Sequence, residues 1–566
     1  MRHVEHRVDF CVVGGGLAGL CAALAAARMG IKTAILQERP MFGGNASSEV
    51  RMWVCGAHGK DCREGGIIEE LILENFYQNP GQKYSIWDTV LHGKAMEEPN
   101  LTVLLNCSCL DAETAEDRIV SVTGWQMTTQ TFHTVRAAYF ADCSGDSVLA
   151  PLTGADYTLG REGRSQYGES IEPEQADRKT MGMSCIIQAR ETDSPKPFVP
   201  PEWAYSYETD EEFPQREHDM QKLGNNFWWI ELGGEDDSIH DTERLRDELL
   251  KIAYGVWDHV KNKGDHHAEC WELEWIGILP GKRESRRYLG DYVVNQNDVE
   301  AGGQFPDVIA YAGWSMDDHK PQGFYYKEGH PTIYHPAPSP WGIPFRSVYS
   351  SNRKNLLFAG RNISVSHAAL SSARVMSTCA MLGQAVGTAA ALLCQSGQEI
   401  RELSVDRLQQ ALQFYDSWLP GVERRLSPVT LTAEYSCPLL CNGRERGEEN
   451  CWKARPGERA VLTWEQPVAI RGVRIVFDSG FNRAYHNMPA HYPLCGSGSL
   501  LPETLVREYC LICTYADGTR KQVEVRNNRK RLAIHSLPGE AVTSVTLLPQ
   551  KSWGDPDFRV FALEVF

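Results

Sequence analysis

The sequence predicts an α/β protein in four parts: a discontinuous parallel-sheet domain (residues 1–150 and 345–400), an inserted α+β domain (151–344), a connecting helix (401–428) and a C-terminal β-sandwich (429–566). Three observations predict it. An apolar strand, a glycine-rich turn and an alanine-rich helix follow one another near the N-terminus. A further apolar strand, with a long Ala/Gly helix behind it, comes only after residue 354. Beyond about residue 430 the pattern changes to short alternating runs between Gly, Pro and Asn turns. At 566 residues the chain exceeds what a single core fills, so several domains are expected.

The first unit is Phe10-Cys11-Val12-Val13, the short apolar run of a strand covered on both faces. Gly14-Gly15-Gly16-Leu17-Ala18-Gly19 follows at once, then a helix from Leu20 to Met29 stopped by Gly30, then a second strand, Lys32 to Leu36. Gly14 makes the tight turn, Gly16 admits a diphosphate close to the backbone, and Gly19 lets helix and strand pack. The helix N-terminus presents free N–H groups to the phosphates. Glu38, nineteen residues after Gly19, is placed to accept hydrogen bonds from a ribose, with Arg39 beside it. This is a Rossmann-like fingerprint, and by itself it leaves NAD and FAD open.

Three further elements narrow the choice. Gly43-Gly44-Asn45 lies just beyond Glu38, with Ser48 and Arg51 after it. Tyr139 to Asp142 reads as a strand that ends in Cys143-Ser144-Gly145-Asp146. Asn355 to Phe358 is a buried strand followed by Ala359-Gly360-Arg361, and a helix from Arg374 to Leu393 contains Gly383-Gln384. Together with Arg283-Glu284-Ser285-Arg286-Arg287, Trp314 to His319 and Gly342 to Arg346, they make the chain resemble the bacterial FAD-dependent oxidoreductase family of the glutathione-reductase-like flavoproteins, over about residues 8 to 395. The resemblance implies FAD. It places Gly43, Gly44, Asn45, Ser48, Ser144, Gly145, Asp146 and Gly360 along the cofactor, with Arg51 in a loop facing the flavin. It also points the helix containing Arg374, Gly383 and Gln384 at the flavin, where a positive helix end stabilises the charge gained on reduction. Arg361 departs from the pattern, because an acid is usual there, and is left to phosphate or substrate.

Composition sets exclusions. A net charge of −17 disfavours nucleic acid and anionic membranes as partners. The basic stretch Arg526 to Arg531 reads as a solvated hairpin tip. The N-terminus carries no signal-peptide pattern, and no uninterrupted apolar run of membrane-spanning length is expected. The 17 scattered cysteines then read as reduced thiols in a cytoplasmic setting. Cys437/Cys441 and Cys510/Cys513 are poorly disposed for a metal, and none is expected. Gly496-Ser497-Gly498 lacks a following helix, so it makes no second dinucleotide site. Cys55 and Cys62 lack the spacing of a disulfide-reductase pair. The electron acceptor therefore stays open.

The expected reacting groups come mostly from the tryptophan-rich insertion. A carboxylate beside an imidazole, Asp317 and Asp318 before His319, gives a general base for an alcohol proton. Arg283 and Arg286, three apart, form an anion or substrate clamp. His58 joins them from the loop after the second glycine motif. Structurally, the arginine cluster equally reads as an interior salt-bridge knot, and each histidine as a core residue. The leading function is hydride transfer between flavin N5 and a small hydroxyl-bearing substrate, with sugars among the candidates. The alternatives are reduction of an activated C=C bond and sugar binding by a chain with a vestigial flavin domain. In the C-terminal third, a helix from Glu402 to Trp418 precedes the sandwich, where Asn442-Gly443 and Asn450-Cys451-Trp452 resemble the opening loops of galactose-binding-like jelly rolls. Such a module implies sugar binding, packing or homo-oligomer formation.

Overall fold

A computed structural model describes residues 1–222, 227–483, 500–537, 539 and 541–566. Gly496-Ser497-Gly498 lies outside these residues. At the centre is a five-stranded parallel sheet in the order Leu356–Phe358, Tyr139–Asp142, Phe10–Val13, Thr33–Gln37, Leu101–Leu105. The strand beginning at Leu356 pairs directly with Tyr139–Asp142, so segments separated by the whole insertion complete one sheet. All four residues of Phe10–Val13 are buried, as a strand covered on both faces requires.

Helix Leu17–Arg28 packs against helix Met376–Ser396. The crossing is tight because two residues of the second helix at the contact are glycines: a Cβ at Gly383 would come 2.0 Å from the Ala18 carbonyl oxygen, and one at Gly387 would come 2.1 Å from that of Ala22. The helix expected from Arg374 begins two residues later, at Met376, and a separate short helix precedes it. His367–Ala373 is capped by the Ser366 hydroxyl and ends at Arg374, and Met376–Ser396 begins anew after Val375. Although its apolar run is interrupted by Ser377, Thr378, Gln384 and Thr388, Met376–Ser396 is by length and mean hydropathy long and apolar enough to cross a membrane. However, 94% of its most apolar window is buried inside the fold, where it serves as a core helix.

A four-stranded sheet was not anticipated. Its order is Arg2–Arg7, Thr131–Arg136, Arg118–Gln126, Cys107–Ala115, and the polar N-terminal segment forms an edge strand parallel to Thr131–Arg136. The insertion holds several two- and three-stranded sheets around helix Thr242–Asn262. That helix buries Leu249, Ile252, Val256 and Trp257 in a cluster with Phe213, Trp229 and Phe324.

The C-terminal strands form two antiparallel sheets of five and four strands. Their inner faces meet, with Phe477 5.0 Å from Tyr509 between ring centroids. The connecting helix is shorter than expected, Val405–Phe414, and the Ser404 hydroxyl caps its start. The basic run is not a solvated tip. Arg529 donates to Glu74 at 2.7 Å, and the buried Arg531 pairs with Asp416 at 3.1 Å. The first contact fastens the C-terminal sheets to the first domain and the second fastens them to the connecting segment. All sixteen described cysteines are free.

Candidate active site

A cavity of about 720 Å³ opens where Val13, Gln37 and Cys143 end or follow their parallel strands, and the insertion covers it. Parallel sheets place ligands at this carboxyl edge. Its floor is glycine. Gly14 has φ +101°, and a Cβ there would meet the Cys143 carbonyl carbon at 2.5 Å. Gly19 presses on the Gly14 carbonyl oxygen, 1.8 Å from an added Cβ. Gly16 is different: nothing lies nearer than the Gly44 Cα, 4.0 Å from an added Cβ. Gly43 donates its N–H to the Gly15 carbonyl at 2.9 Å, which joins the two glycine turns side by side. The Gln37 side chain accepts the Gly15 N–H at 2.7 Å and fixes the first turn. No side chain caps helix Leu17–Arg28, so its leading N–H groups, at Leu17 and Ala18, are offered to the cavity.

Glu38, Arg39 and Asn45 also line the cavity. Glu38 is exposed and 3.4 Å from Arg39, which also reaches Glu49 at 3.2 Å. Asn45 donates to the Lys282 carbonyl at 3.0 Å and ties the turn to the insertion. On the opposite wall are Ser144, Gly145, Asp146, Gly360 and Arg361. Asp146 accepts from Arg361 at 2.6 Å, Lys282 at 2.8 Å and Ser285 at 2.7 Å. Burial pushes its pKa up, but the two cations outweigh this and hold the carboxyl well below the usual range. Arg361, unusual in sequence, is thus the partner of Asp146. Its guanidinium lies 2.4 Å from where a Cβ on Gly145 (φ +81°) would stand.

The insertion contributes a charged cluster to the same cavity. Arg283, Arg286, Asp317, His319, Trp228, Trp314 and Tyr334 all line it, with Arg374 and the start of helix Met376–Ser396. Buried His319 has Nδ1 2.8 Å from Glu231 Oε2 and its ring edge-on to Trp228. Arg283 lies 3.3 Å from the same Glu231 oxygen and donates to Ser184 at 2.7 Å. Burial pushes the His319 pKa down to about 4, helped by Arg283 and opposed by Glu231. Burial likewise brings Arg283 down to about 10. Asp317 accepts from Trp314 Nε1 and the Ser315 hydroxyl, both at 2.6 Å. Arg286 lies over the Tyr157 ring at 5.5 Å.

The arginine run therefore divides. Arg283 and Arg286 reach the cavity, whereas Arg287 is fully buried between Glu284 and Glu162. His367 joins that interior knot, 2.8 Å from Glu284, and the acid holds it protonated, against burial.

Six expected site residues lie off the cavity, Gly19 among them because it packs on the Gly14 carbonyl. The Ser48 N–H donates to Asp88 at 3.1 Å. Arg51, at φ +61°, turns away to Gln188 at 2.7 Å and stacks on Trp275 at 4.3 Å. His58 stacks on Trp314 at 4.2 Å, behind the wall that Trp314 forms. Gly383 serves the helix crossing. Gln384 accepts the Ile67 N–H at 2.8 Å and donates to the Tyr415 carbonyl, so it anchors helix Ile67–Gln78. Conversely, sequence reasoning missed Gln37, Trp228, Glu231, Lys282 and Tyr334. The one signal for Glu231 was a carboxylate closing the apolar run Phe227-Trp228-Trp229-Ile230.

The donor set fits a dinucleotide carrying a redox ring. Two glycine turns and one uncapped helix start form a cradle that is open at Gly16. Buried Arg361 Nε and Arg374 Nε have no hydrogen-bond partner among the described residues.

A profile of the family described as FAD dependent oxidoreductase matches residues 9–412. Among solved structures, the chain is similar to L-proline dehydrogenase from P. horikoshii (18% identity, 29% of this chain and 26% of that one, TM-score 0.17). It thus spans about a quarter of that dehydrogenase. It is also similar to a geranylgeranyl bacteriochlorophyll reductase-like protein from Thermoplasma acidophilum (12%, 73% and 83%, TM-score 0.33). A third likeness is to the family 32 carbohydrate-binding module from Streptococcus pneumoniae EndoD (14%, 24% and 94%, TM-score 0.18). No curated protein matches.

Proposed function

The chain belongs to the FAD dependent oxidoreductase family, and from that premise we propose that it oxidises a small hydroxyl-bearing substrate beside FAD in this cavity. One observation carries the reading: His319 lines the cavity with Nδ1 held by Glu231 at 2.8 Å. Glu231 accepts the Nδ1 proton and fixes the tautomer, so Nε2 is the basic atom. With its pKa near 4, the imidazole is neutral at neutral pH and ready to take a hydroxyl proton. FAD, when bound, supplies the acceptor for the two electrons. Arg283 and Arg374 place positive charge where the substrate oxygen becomes more negative as its proton leaves. Trp228, Trp314 and Tyr334 offer apolar faces beside these polar groups, a combination suited to a polyol or sugar.

The residues that would hold FAD follow from the walls. Gly14 to Ala18 and Gly43-Gly44 take the diphosphate, and Glu38 takes the adenosine ribose. Ser144 to Asp146, Gly360 and Arg361 take the middle of the cofactor. The start of helix Met376–Ser396, which lines the cavity, would supply its positive end to the ring. We read the C-terminal sheets as a galactose-binding-like module used here for packing, supported by Arg529 gripping the first domain and Arg531 the connecting segment.

The test is anaerobic. The purified protein should be yellow, and a panel of polyols and sugars should contain a member that bleaches it. A second reading has its own support: Arg283, brought down to about 10, is a better proton donor than an ordinary arginine. That arrangement suits reduction of an activated C=C bond. If no hydroxyl compound bleaches the flavin and enoates reoxidise the dithionite-reduced protein, the second reading replaces the first.

A further inference from the structure

Away from the cavity, in the insertion, four side chains converge from three segments. Asp210 opens the turn Asp210–Glu212, His218 follows Arg216, His259 lies in the last turn of helix Thr242–Asn262, and His266 lies in the loop beyond. One ligand atom from each lies within 4.8 Å of all the others. Asp210 Oδ1 is 3.0 Å from His259 Nε2 and 3.6 Å from Nε2 of both His218 and His266. His259 Nε2 and His266 Nε2 are themselves 3.0 Å apart.

The proton count makes this arrangement informative. His218 Nδ1 is 2.6 Å from the Arg216 carbonyl oxygen and His259 Nδ1 is 3.0 Å from that of Tyr207. A carbonyl only accepts, so each Nδ1 carries the ring proton. In the neutral rings, both Nε2 atoms then present lone pairs toward a carboxylate oxygen. Lone pairs facing lone pairs at 3.0 Å repel unless a cation sits among them. Outer hydrogen bonds from Nδ1 to carbonyls are also how metal-bound histidines are oriented. A tetrahedron with metal–ligand bonds of about 2.0 Å has edges of about 3.3 Å, and the separations of 3.0 and 3.6 Å fall on either side of that edge.

We propose that Asp210, His218, His259 and His266 form a closed structural site for a divalent metal of the zinc class. Four protein ligands without an open position mark a structural rather than a catalytic centre. The metal ties the segment before Trp228 and Glu231 to the end of the long helix. It thereby supports the wall of the cavity without touching it. His259 and His266 are buried, whereas the Asp210 side chain is 63% exposed, which leaves that side as the entry route.

The full-length protein, free of any histidine tag, should carry about one zinc per chain by elemental analysis. A strong chelator should remove it and lower Tm, and ZnCl2 should restore both. Cobalt added to the stripped protein should give the intense visible bands of a tetrahedral site. Outer-shell losses alone cost metal sites about 10–100-fold in affinity, so Asp210→Asn and His266→Gln should each weaken zinc by at least that much. Asp210→Asn changes an exposed side chain and keeps the protein folded for the comparison. If the chain neither carries nor takes up zinc or cobalt, a shared proton holds the cluster and the site is overturned. Equal zinc affinity in wild type and Asp210→Asn would overturn it too.

Discussion

The Ala18 carbonyl oxygen and Gly383 are so close that a Cβ added at residue 383 would stand 2.0 Å from that oxygen. The neighbour is helix backbone, which cannot swing aside as a flexible side chain would. Gly383→Ala must therefore push helix Met376–Ser396 off helix Leu17–Arg28. Alanine gains about 1 kcal/mol in helix propensity, but overpacking at a rigid contact costs about 1–3 kcal/mol or more. The variant should unfold at lower urea concentration and retain flavin poorly, because Met376–Ser396 also begins at the cavity. Unchanged unfolding and flavin content would show that the crossing has slack.

Gly14 and Gly16 should separate folding from cofactor binding. Gly14 sits at φ +101° with Cys143 backbone 2.5 Å from an added Cβ, so Gly14→Ala should give little folded protein. Gly16 has ordinary backbone geometry and open space to 4.0 Å. Gly16→Val should fold, with circular dichroism like wild type, and emerge colourless because its methyl groups occupy the diphosphate cradle. Yellow Gly16→Val protein would move the diphosphate elsewhere.

These glycines were legible in the sequence because their spacing is dictated by a local strand–turn–helix geometry. Arg51 was misplaced because its direction depends on a left-handed backbone and on Gln188, 137 residues away. Ser48 was lost for a similar reason, its N–H being taken by Asp88 on another helix. The His319 imidazole was legible as a candidate base, but its orienting acid was not. Asp317 next door bonds Trp314 and Ser315, and the partner is Glu231, 88 residues upstream. Likewise, the Arg2–Arg7 strand shows no sign of its partner, Thr131–Arg136, because pairing across such a separation leaves no local pattern.

Arg474 holds the C-terminal sheets to the connecting helix. It is fully buried, donates to the Phe414 carbonyl at 2.7 Å and the Gln413 carbonyl at 3.2 Å, and pairs with Glu445 and Glu564. Burial works against the Glu445 carboxylate, and Arg474 followed by Arg424 keeps it charged. Arg474→Met preserves volume but leaves two buried carboxylates sharing Arg424. Breaking such a pair costs about 3–5 kcal/mol. Limited proteolysis should then cut the chain near residue 430 faster than in wild type. Resistance equal to wild type would mean the sheets are held mainly elsewhere.

His319 gives a prediction with a sign in both activity and stability. As the base it must be unprotonated, so the acid limb of the rate should fall near pH 4 rather than near the ordinary value of 6.5. His319→Gln should lose about 10²–10⁴-fold in rate while keeping its flavin. The stability argument uses the same shift. The folded protein resists protonation of this ring, whereas the unfolded chain accepts a proton below about 6.5. Stability due to the neutral ring is therefore complete above pH 6.5 and is lost progressively as the pH falls toward 4. The full shift corresponds to about 3 kcal/mol. Glutamine does not titrate, so unfolding curves of the two proteins should converge or cross over this interval, the wild type losing about that much relative to the variant. A constant gap from pH 7 to pH 4 would mean that His319 takes up its proton in the fold as readily as in the open chain, and a base held neutral by burial would no longer be tenable.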